Sequence, residues 1–531
     1  MRALRRAALG VALVAAIGVP WGTEAGAATP ARFVTGWIPV WSSVAASEGQ
    51  RGLTNGTEGV FTEVSPFAFE AKGTTSLVLS GSEATMTATV NALRARKLPV
   101  VPSITDGTAK LVMAGILANP VTRAQHVDTI VNLVTTRSYD GIDLDYEGFA
   151  FVDGRSSWTT TRPNWAAFVQ ELGAKLRARG KVLAMTVPPI WNRGNSGYWV
   201  YAWPETLPHI DRLRLMVYDW SVTNAGPIAP ISWVNDVITY VRSAVPATDL
   251  RKVQLGVPTY GRNWARVQSG TCPAGVNLTT SSVQMEHAAS LAASKGAVPT
   301  RHSSGEMTFT YTETFTGPRP NSIPPPPYTP PTTDVDQLGP AVDQQGLDRA
   351  LRLSPGGAFV TCTVTRTAFF PDELSVMQRV NAALAGGLSG IAIWALGYES
   401  TALWPLLAGV DAPRPAGTSP IGALDSAARI GDGSTGVQVS GWALDPEFDL
   451  PITVRVTVTN PGGPTRTSEP ILARSPRPDL PGAIPGAGAL HGIAAVTVPL
   501  AAAPGARVCL VATGYGAAAA TPTEIGTCRT V

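Results

Sequence analysis

The sequence predicts an α/β protein, a (β/α)8 barrel carrying an α+β insertion, followed by a small all-β sandwich. Three observations carry this. Eight short apolar runs recur between residues 33 and 397, helical periodicity fills most of the gaps between them, and beyond about residue 420 that periodicity gives way to alternation. Strands that alternate with helices pair in parallel, and eight such units over roughly 370 residues suit a closed barrel with insertions. A chain of 531 residues can bury a core of that size and support more than one domain.

The N-terminus stands apart from the fold. Arg2, Arg5 and Arg6 precede the apolar run Ala8–Pro20, and small residues follow at 25–28. This is the pattern of an export signal. The run is shorter than the about 20 residues a bilayer-spanning helix needs. Residues 1–28 are therefore expected to be a signal peptide. The mature protein is expected to be extracellular or wall-associated, free of the membrane and monomeric. Four cysteines fit an oxidising compartment and permit three connectivities. Pairing within each region, Cys272–Cys362 and Cys509–Cys528, is the preferred one. Net charge is +3 with only 15% charged residues and no basic cluster, which disfavours a nucleic-acid partner. The five histidines are scattered and CxxC spacing is absent, so neither a metal nor a cofactor is expected.

The eight candidate strands are 33–41, 60–69, 98–104, 139–147, 182–190, 212–220, 253–261 and 389–397. Helices are expected at 83–97, 121–136, 163–179, 232–244 and 372–386. In 163–179, Trp165, Phe168, Val169, Leu172 and Leu176 fall on one helical face, with Pro163 in the first turn. The barrel domain is drawn at 29–410. Its seventh and eighth strands are separated by 265–370, too long for a crossover, which reads as an inserted subdomain stapled by Cys272–Cys362. Within it the stretch 318–331 is a proline-rich surface loop. A linker at 411–420 leads to the sandwich, 421–531, where the alternation sits at 437–444, 452–459 and 506–513.

The chemistry concentrates in Arg137–Phe149, "RSYDGIDLDYEGF". On a strand, Asp143, Asp145 and Glu147 share one face while Ile142, Leu144 and Tyr146 share the other. The acids can then line a barrel interior, and Glu147 comes last, at the C-terminal rim where barrel enzymes place their chemistry. Carboxylates about 6–7 Å apart raise one another's pKa, so at least one is expected to stay protonated near neutral pH. A neutral acid beside an anionic one suits cleavage of a glycosidic bond. A calcium loop is the rival, but Ile, Leu and Tyr occupy the gaps between the acids, where an EF-hand has polar residues.

"DGIDLDYE" matches the D-G-x-D-x-D-x-E signature of glycoside hydrolase family 18, the chitinase-like barrels. In order along the chain, "SPFAF" (65–69), "MTVPP" (185–189), "MVYD" (216–219), "LGVPTYGRNW" (255–264) and "GIAIW" (390–394) resemble that family's second, fifth, sixth, seventh and eighth strands. The resemblance covers about 33–408 and is nearest to the bacterial branch that includes spore-cortex and peptidoglycan glucosaminidases. It implies hydrolysis of chitin or peptidoglycan, N-acetylglucosamine-containing glycans, by substrate-assisted retention, which lies outside the two-carboxylate scheme. Glu147 would be proton donor. Asp145 would orient the substrate acetamide, Asp143 would pair with Asp145 and hold a proton, and Tyr218 would donate to the acetamide oxygen. Asp219, Met216 and Phe69 would line the site and Trp394 would floor it, while Asp140 would be structural. Trp41, Trp191, Trp220 and Trp264 fall near predicted strand ends, where aromatic rings can pack on sugar faces. The rival function is a non-catalytic, chitinase-like lectin, though such relatives commonly lose the final glutamate, present here.

The tail resembles a β-sandwich module of secreted bacterial proteins through "GWALDP" (441–446), "ARSPRPDL" (473–480) and "GAGALHGI" (486–493). Its position suggests wall attachment or glycan binding. Asp445, Glu447 and Asp449 read as a solvated turn rather than a calcium site.

Overall fold

The computed structural model describes residues 33–51, 53, 60–192, 197–320, 359–407, 419–446, 451–484, 487–512 and 522–531. The expected signal peptide, most of the proline-rich loop and linker, and Glu447 and Asp449 lie outside these residues.

Eight parallel strands form the barrel: β1 (Phe33–Pro39), β2 (Glu63–Ala71), β3 (Ser103–Asp106), β4 (Gly141–Asp145), β5 (Val182–Val187), β6 (Arg212–Leu215), β7 (Val253–Pro258) and β8 (Gly390–Trp394). Each pairs with its sequence neighbour, and β1 also pairs with β8, so the sheet closes. Among the described residues, helices lie between the strands. The helix Glu83–Ala95 is capped by Ser82, whose hydroxyl accepts from the Thr85 N–H. Asn119 does the same for Pro120–Thr136, accepting from Val121, and Asp372 with Ser375 makes a capping box for Glu373–Ala385. The helix expected from Pro163 starts earlier, at Trp158, and leaves Pro163 inside it. Proline there forgoes a backbone bond. The first turn is held instead by Trp158, which is buried and donates its indole N–H to the Phe149 carbonyl at 2.6 Å.

The strand alternation separates two interiors. Outward residues such as Ile142, Leu144 and Tyr146 join the apolar core beneath the helices. Tyr146 packs among Trp165 and Phe168, and its hydroxyl meets His126 Nε2 at 2.7 Å. Inward residues Thr35, Glu63, Ser65, Ser103, Asp143, Thr186, Arg214 and Gln254 are also buried but polar. Most barrels fill this space with branched aliphatics. A polar filling survives burial only if its groups satisfy one another.

After β7 the chain leaves the barrel at Tyr260, earlier than the sequence suggests. Tyr260–Gly270, Ser281–Gln284, Thr300–Arg301, Met307–Pro318 and Phe359–Phe370 form an antiparallel sheet. One face packs on the helix Met285–Ser294 through Val283, Ala288, Phe309, Tyr311, Ala368 and Phe370. Cys272 and Cys362 are joined in a disulfide. The C-terminal region holds two antiparallel sheets over a Val-rich core, with Cys509 and Cys528 joined. Asp445, expected in a solvated turn, is buried at the end of a strand, Val437–Leu444.

Candidate active site

The site grows from the polar lumen. Arg214 on β6 is 1% exposed and reaches Glu63 at 2.5 Å, Ser65 Oγ at 2.7 Å, Gln254 Oε1 at 3.2 Å and Asp143 at 3.1 Å. Asp143 is fully buried. Its Oδ2 also accepts from the Trp37 indole at 2.9 Å and Ser103 at 2.7 Å, and its Oδ1 accepts from Thr186 at 2.7 Å. Three of these donors converge on Oδ2 and one on Oδ1, so the carboxyl is held from several strands at once. The Asp143 carboxylate is an acceptor locked from several strands, and its negative charge faces the next acid along the strand.

That next acid is Asp145, 3% exposed, with its Oδ1 buried and without a hydrogen-bond partner. Burial, then the charges of Glu147 and Asp143, hold its carboxyl well above the usual carboxylate range. Glu147 follows the strand at the N-cap of a short helix, Gly148–Phe151, and is partly open to solvent. Burial pushes its carboxyl up to about 7, and the charge of Asp219 adds to the shift. The acids whose carboxyls are pushed up are therefore Asp145 and Glu147, the two nearest the rim.

Tyr218 follows β6, its ring edge-on to Tyr260 at 6.2 Å. Burial first, then the charges of Asp145, Glu147, Asp219 and Asp143, keep its hydroxyl protonated far above neutral pH. Its ring fits because β7 carries Gly256, where a Cβ would stand 3.0 Å from Tyr218 Cε1 and 2.4 Å from the Leu215 carbonyl. Asp219 has a left-handed backbone (φ 58°), and its Oδ1 accepts from Tyr260 at 2.5 Å and from Arg262 at 2.9 and 3.1 Å. Met216 is buried beside them.

Trp394 ends β8 and is ringed by Phe67 at 4.8 Å, Trp37 at 5.9 Å and Trp41 at 6.4 Å. Phe69 is not among them. The β2–β3 register shifts between Phe67 and Phe69, and this turns Phe69 to the outer core against Tyr139, so Phe67 takes the inward place. Trp191 and Trp220 form a separate cluster with Trp233, at 5.9 and 5.0 Å. Trp220 is half-exposed there. Trp264 is 5% exposed, and its indole donates to the Val222 carbonyl at 2.8 Å, so it braces a loop instead of offering a face. Asp140 lies at the opposite end of β4, accepting from the Val100 N–H at 2.8 Å.

The profile of glycosyl hydrolases family 18 matches residues 61–399, more than half of the chain. The chain belongs to that family. Among curated relatives, the Bacillus subtilis protein YdhD, which carries the name of a sporulation-specific glycosylase, is 29% identical over 35% of this chain and 42% of its own length. The cortical fragment-lytic enzyme of Bacillus anthracis is 23% identical over 73% of this chain and 76% of its own. The chain spans about half the length of the first curated relatives it matches. In fold it is similar to a chitinase from Chromobacterium violaceum (TM-score 0.53, 20% identity, 72% of this chain and all of that one). It is also similar to the spore cortex-lytic enzyme SleL of Bacillus megaterium (TM-score 0.51, 17% identity, 72% of this chain and 74% of that one).

For a family 18 barrel, the groups missed in the sequence are those that hold the signature in place. Arg214 and Glu63 were legible as inward charges, since Arg212 and Arg214 alternate with Leu213 and Leu215. Trp37 had the same in-phase position on β1. Tyr260 and Arg262 gave no such signal, because nothing local says that they meet Asp219.

Proposed function

We propose that the chain is a secreted glycosidase that hydrolyses β-linked N-acetylglucosamine-containing glycans by substrate-assisted retaining catalysis. The observation that carries this reading is Asp145: a buried carboxyl with an unpartnered oxygen, between a locked Asp143 and a Glu147 whose carboxyl burial pushes up to about 7. A buried polar atom left without a partner is costly, and an acetamide N–H would satisfy it. The Glu147 proton passes to the glycosidic oxygen as the bond to the anomeric carbon breaks, and the substrate's own acetamide oxygen attacks that carbon. Tyr218 donates to the acetamide oxygen, and the charge of Asp143 steadies the cationic oxazolinium through Asp145. Glu147, now a carboxylate, takes a proton from the water that opens the intermediate. Trp394, with Phe67 and Trp41 behind it, supplies an apolar floor for the ring. The names of family relatives, chitinase and cortical fragment-lytic enzyme, point to chitin and peptidoglycan as polymers to compare. The basic, apolar and small-residue order of residues 1–28 supports export.

Glu147→Gln should lower kcat on an aryl chitobioside by about 100-fold or more, the scale of a lost general acid. Near-normal turnover would sink the assignment. The glucose analogue lacking the N-acetyl group should be inert, and efficient cleavage would make Asp145 a direct nucleophile instead.

A further inference from the structure

The hairpin formed by Met307–Pro318 and Phe359–Phe370 is unusual in which residues it shows to solvent. Thr310, Thr312, Thr314 and Thr316 stand directly opposite Thr367, Thr365, Thr363 and Thr361, so eight threonines form four cross-strand pairs on one face. The strands are 12 residues each, about twice the usual length, and extend beyond the covering helix. The charged residues of these two strands, Glu313 and Arg366, lie on the other face, bonded to each other at 3.1 Å. An edge strand, as Met307–Pro318 is over most of its length, ordinarily carries charge, especially lysine, to prevent edge pairing and aggregation. Threonine pairs explain the strand stability, but they do not explain why one long exposed face of this hairpin carries no charge.

The same face runs back to the catalytic centre. The register places Thr365, Thr367 and Phe369 opposite Arg266, Trp264 and Arg262. Arg262 is the residue that grips Asp219, and Phe369 packs in the cluster that meets Tyr218 and Trp394. From Phe369 outward the threonines repeat about every 7 Å along a strand and about every 5 Å across. Their hydroxyls are already ordered: Thr316 meets Thr361 at 3.0 Å, Thr310 meets Thr367 at 3.3 Å, and Thr365 donates to Gln268 at 2.9 Å. β-branched side chains are stiff at χ1, so little entropy is lost when such a surface binds.

We infer that this threonine face is a docking surface for the uncharged sugar backbone of the glycan where the chain runs out of the cleft. The inference rests on the glycosidase reading for its ligand. An ordered, neutral array of hydroxyls and methyls suits a polymer that offers hydroxyls, acetamides and apolar ring faces. Arg266 and Gln268 flank the array on the neighbouring strand and add donors.

The test uses the full chain carrying Glu147→Gln, so that polymer is held and not cut, and measures retention on chitin particles, which present that backbone alone. The combined variant T312A/T314A/T363A/T365A should lower retention about tenfold, the affinity of roughly one net hydrogen bond. The matching Thr→Ser variant, equally poor in β-branching but keeping the hydroxyls, should retain most of it. Unchanged retention of the alanine variant overturns the inference, as does an equal loss in the serine variant. A parent that self-associates through this face, with the alanine variant monomeric, would assign the face to a second copy and also overturn it. In the Glu147 background, turnover of the short aryl chitobioside is measured alongside. A matching loss there would mean that the substitutions reached the cleft, and it counts against a separate surface. A parent inert on that substrate sinks the glycosidase reading alone, because retention does not require turnover.

Discussion

At the residue scale, three acids of one strand face have three different environments. Asp143 is surrounded by donors, Asp145 is buried beside two like charges, and Glu147 is at the rim facing Asp219. For Asp145 and Glu147 the upward shift follows from those surroundings and not from residue type, the general logic of pairing acids with divergent environments. Glu147 acts in its protonated form, and its pKa is about 7, so kcat/KM on the soluble substrate should fall as pH rises through about 7. Asp219→Asn removes the anion that helps to raise it and leaves the Arg262 cation uncompensated, both of which favour the carboxylate. The alkaline limb should therefore move to lower pH, by up to about 1 unit. A limb that stays put in the pH profile would separate Asp219 from Glu147.

At the element scale, loops and registers decide which side chains arrive. The bulge in β2 exchanges Phe69 for Phe67 beneath Trp394, a change of face caused by one extra residue. The segment after β6 is held by the insertion: buried Glu306 accepts from the Ile228 and Ala229 N–H groups at 2.8 and 2.7 Å and pairs with buried Arg379 at 2.9 Å. Arg379 also donates to the Ala229 carbonyl. Glu306→Gln leaves that arginine without its counter-charge, and breaking a buried pair costs about 3–5 kcal/mol. We expect a lowered thermal midpoint together with a raised KM, since this segment carries Asp219 and Trp220. An unaltered KM in a folded variant would show that the segment keeps its place without the clamp.

At the scale of the whole molecule, the insertion is coupled to the barrel through chemistry rather than simple proximity. Tyr260, Arg262 and Glu306 each reach the segment after β6. The Cys272–Cys362 disulfide closes a separation of 90 residues. Replacing both cysteines with serine should cost about 2–5 kcal/mol, and the cost should appear as lost amide protection in 260–318 and 359–370 before the barrel strands. Simultaneous loss across the barrel would show that the two unfold as one unit. The sandwich meets the barrel at Arg474, 3.6 Å from Glu373, and through Leu472 packed on the barrel core.

Eight strands, their order and the inward acids of β4 were readable from the sequence because strand periodicity is local: every second side chain shares a face, whatever lies across the sheet. The same rule made Arg214 and Trp37 readable in phase, though not what they touch. The two disulfides were readable as regional pairs. What the tertiary structure decided is everything that depends on a partner distant in the chain. Asp143 is locked in place because Arg214, Trp37, Ser103 and Thr186 converge on it from other strands. Trp264 became a brace because a loop carbonyl lies within reach of its indole. The acid signature was set by local alternation, but the protonation that makes Glu147 a donor was set by burial and by Asp219, a charge 72 residues further along the chain. Electrostatic fields and hydrogen bonds act through space, and only the closed barrel brings these groups together.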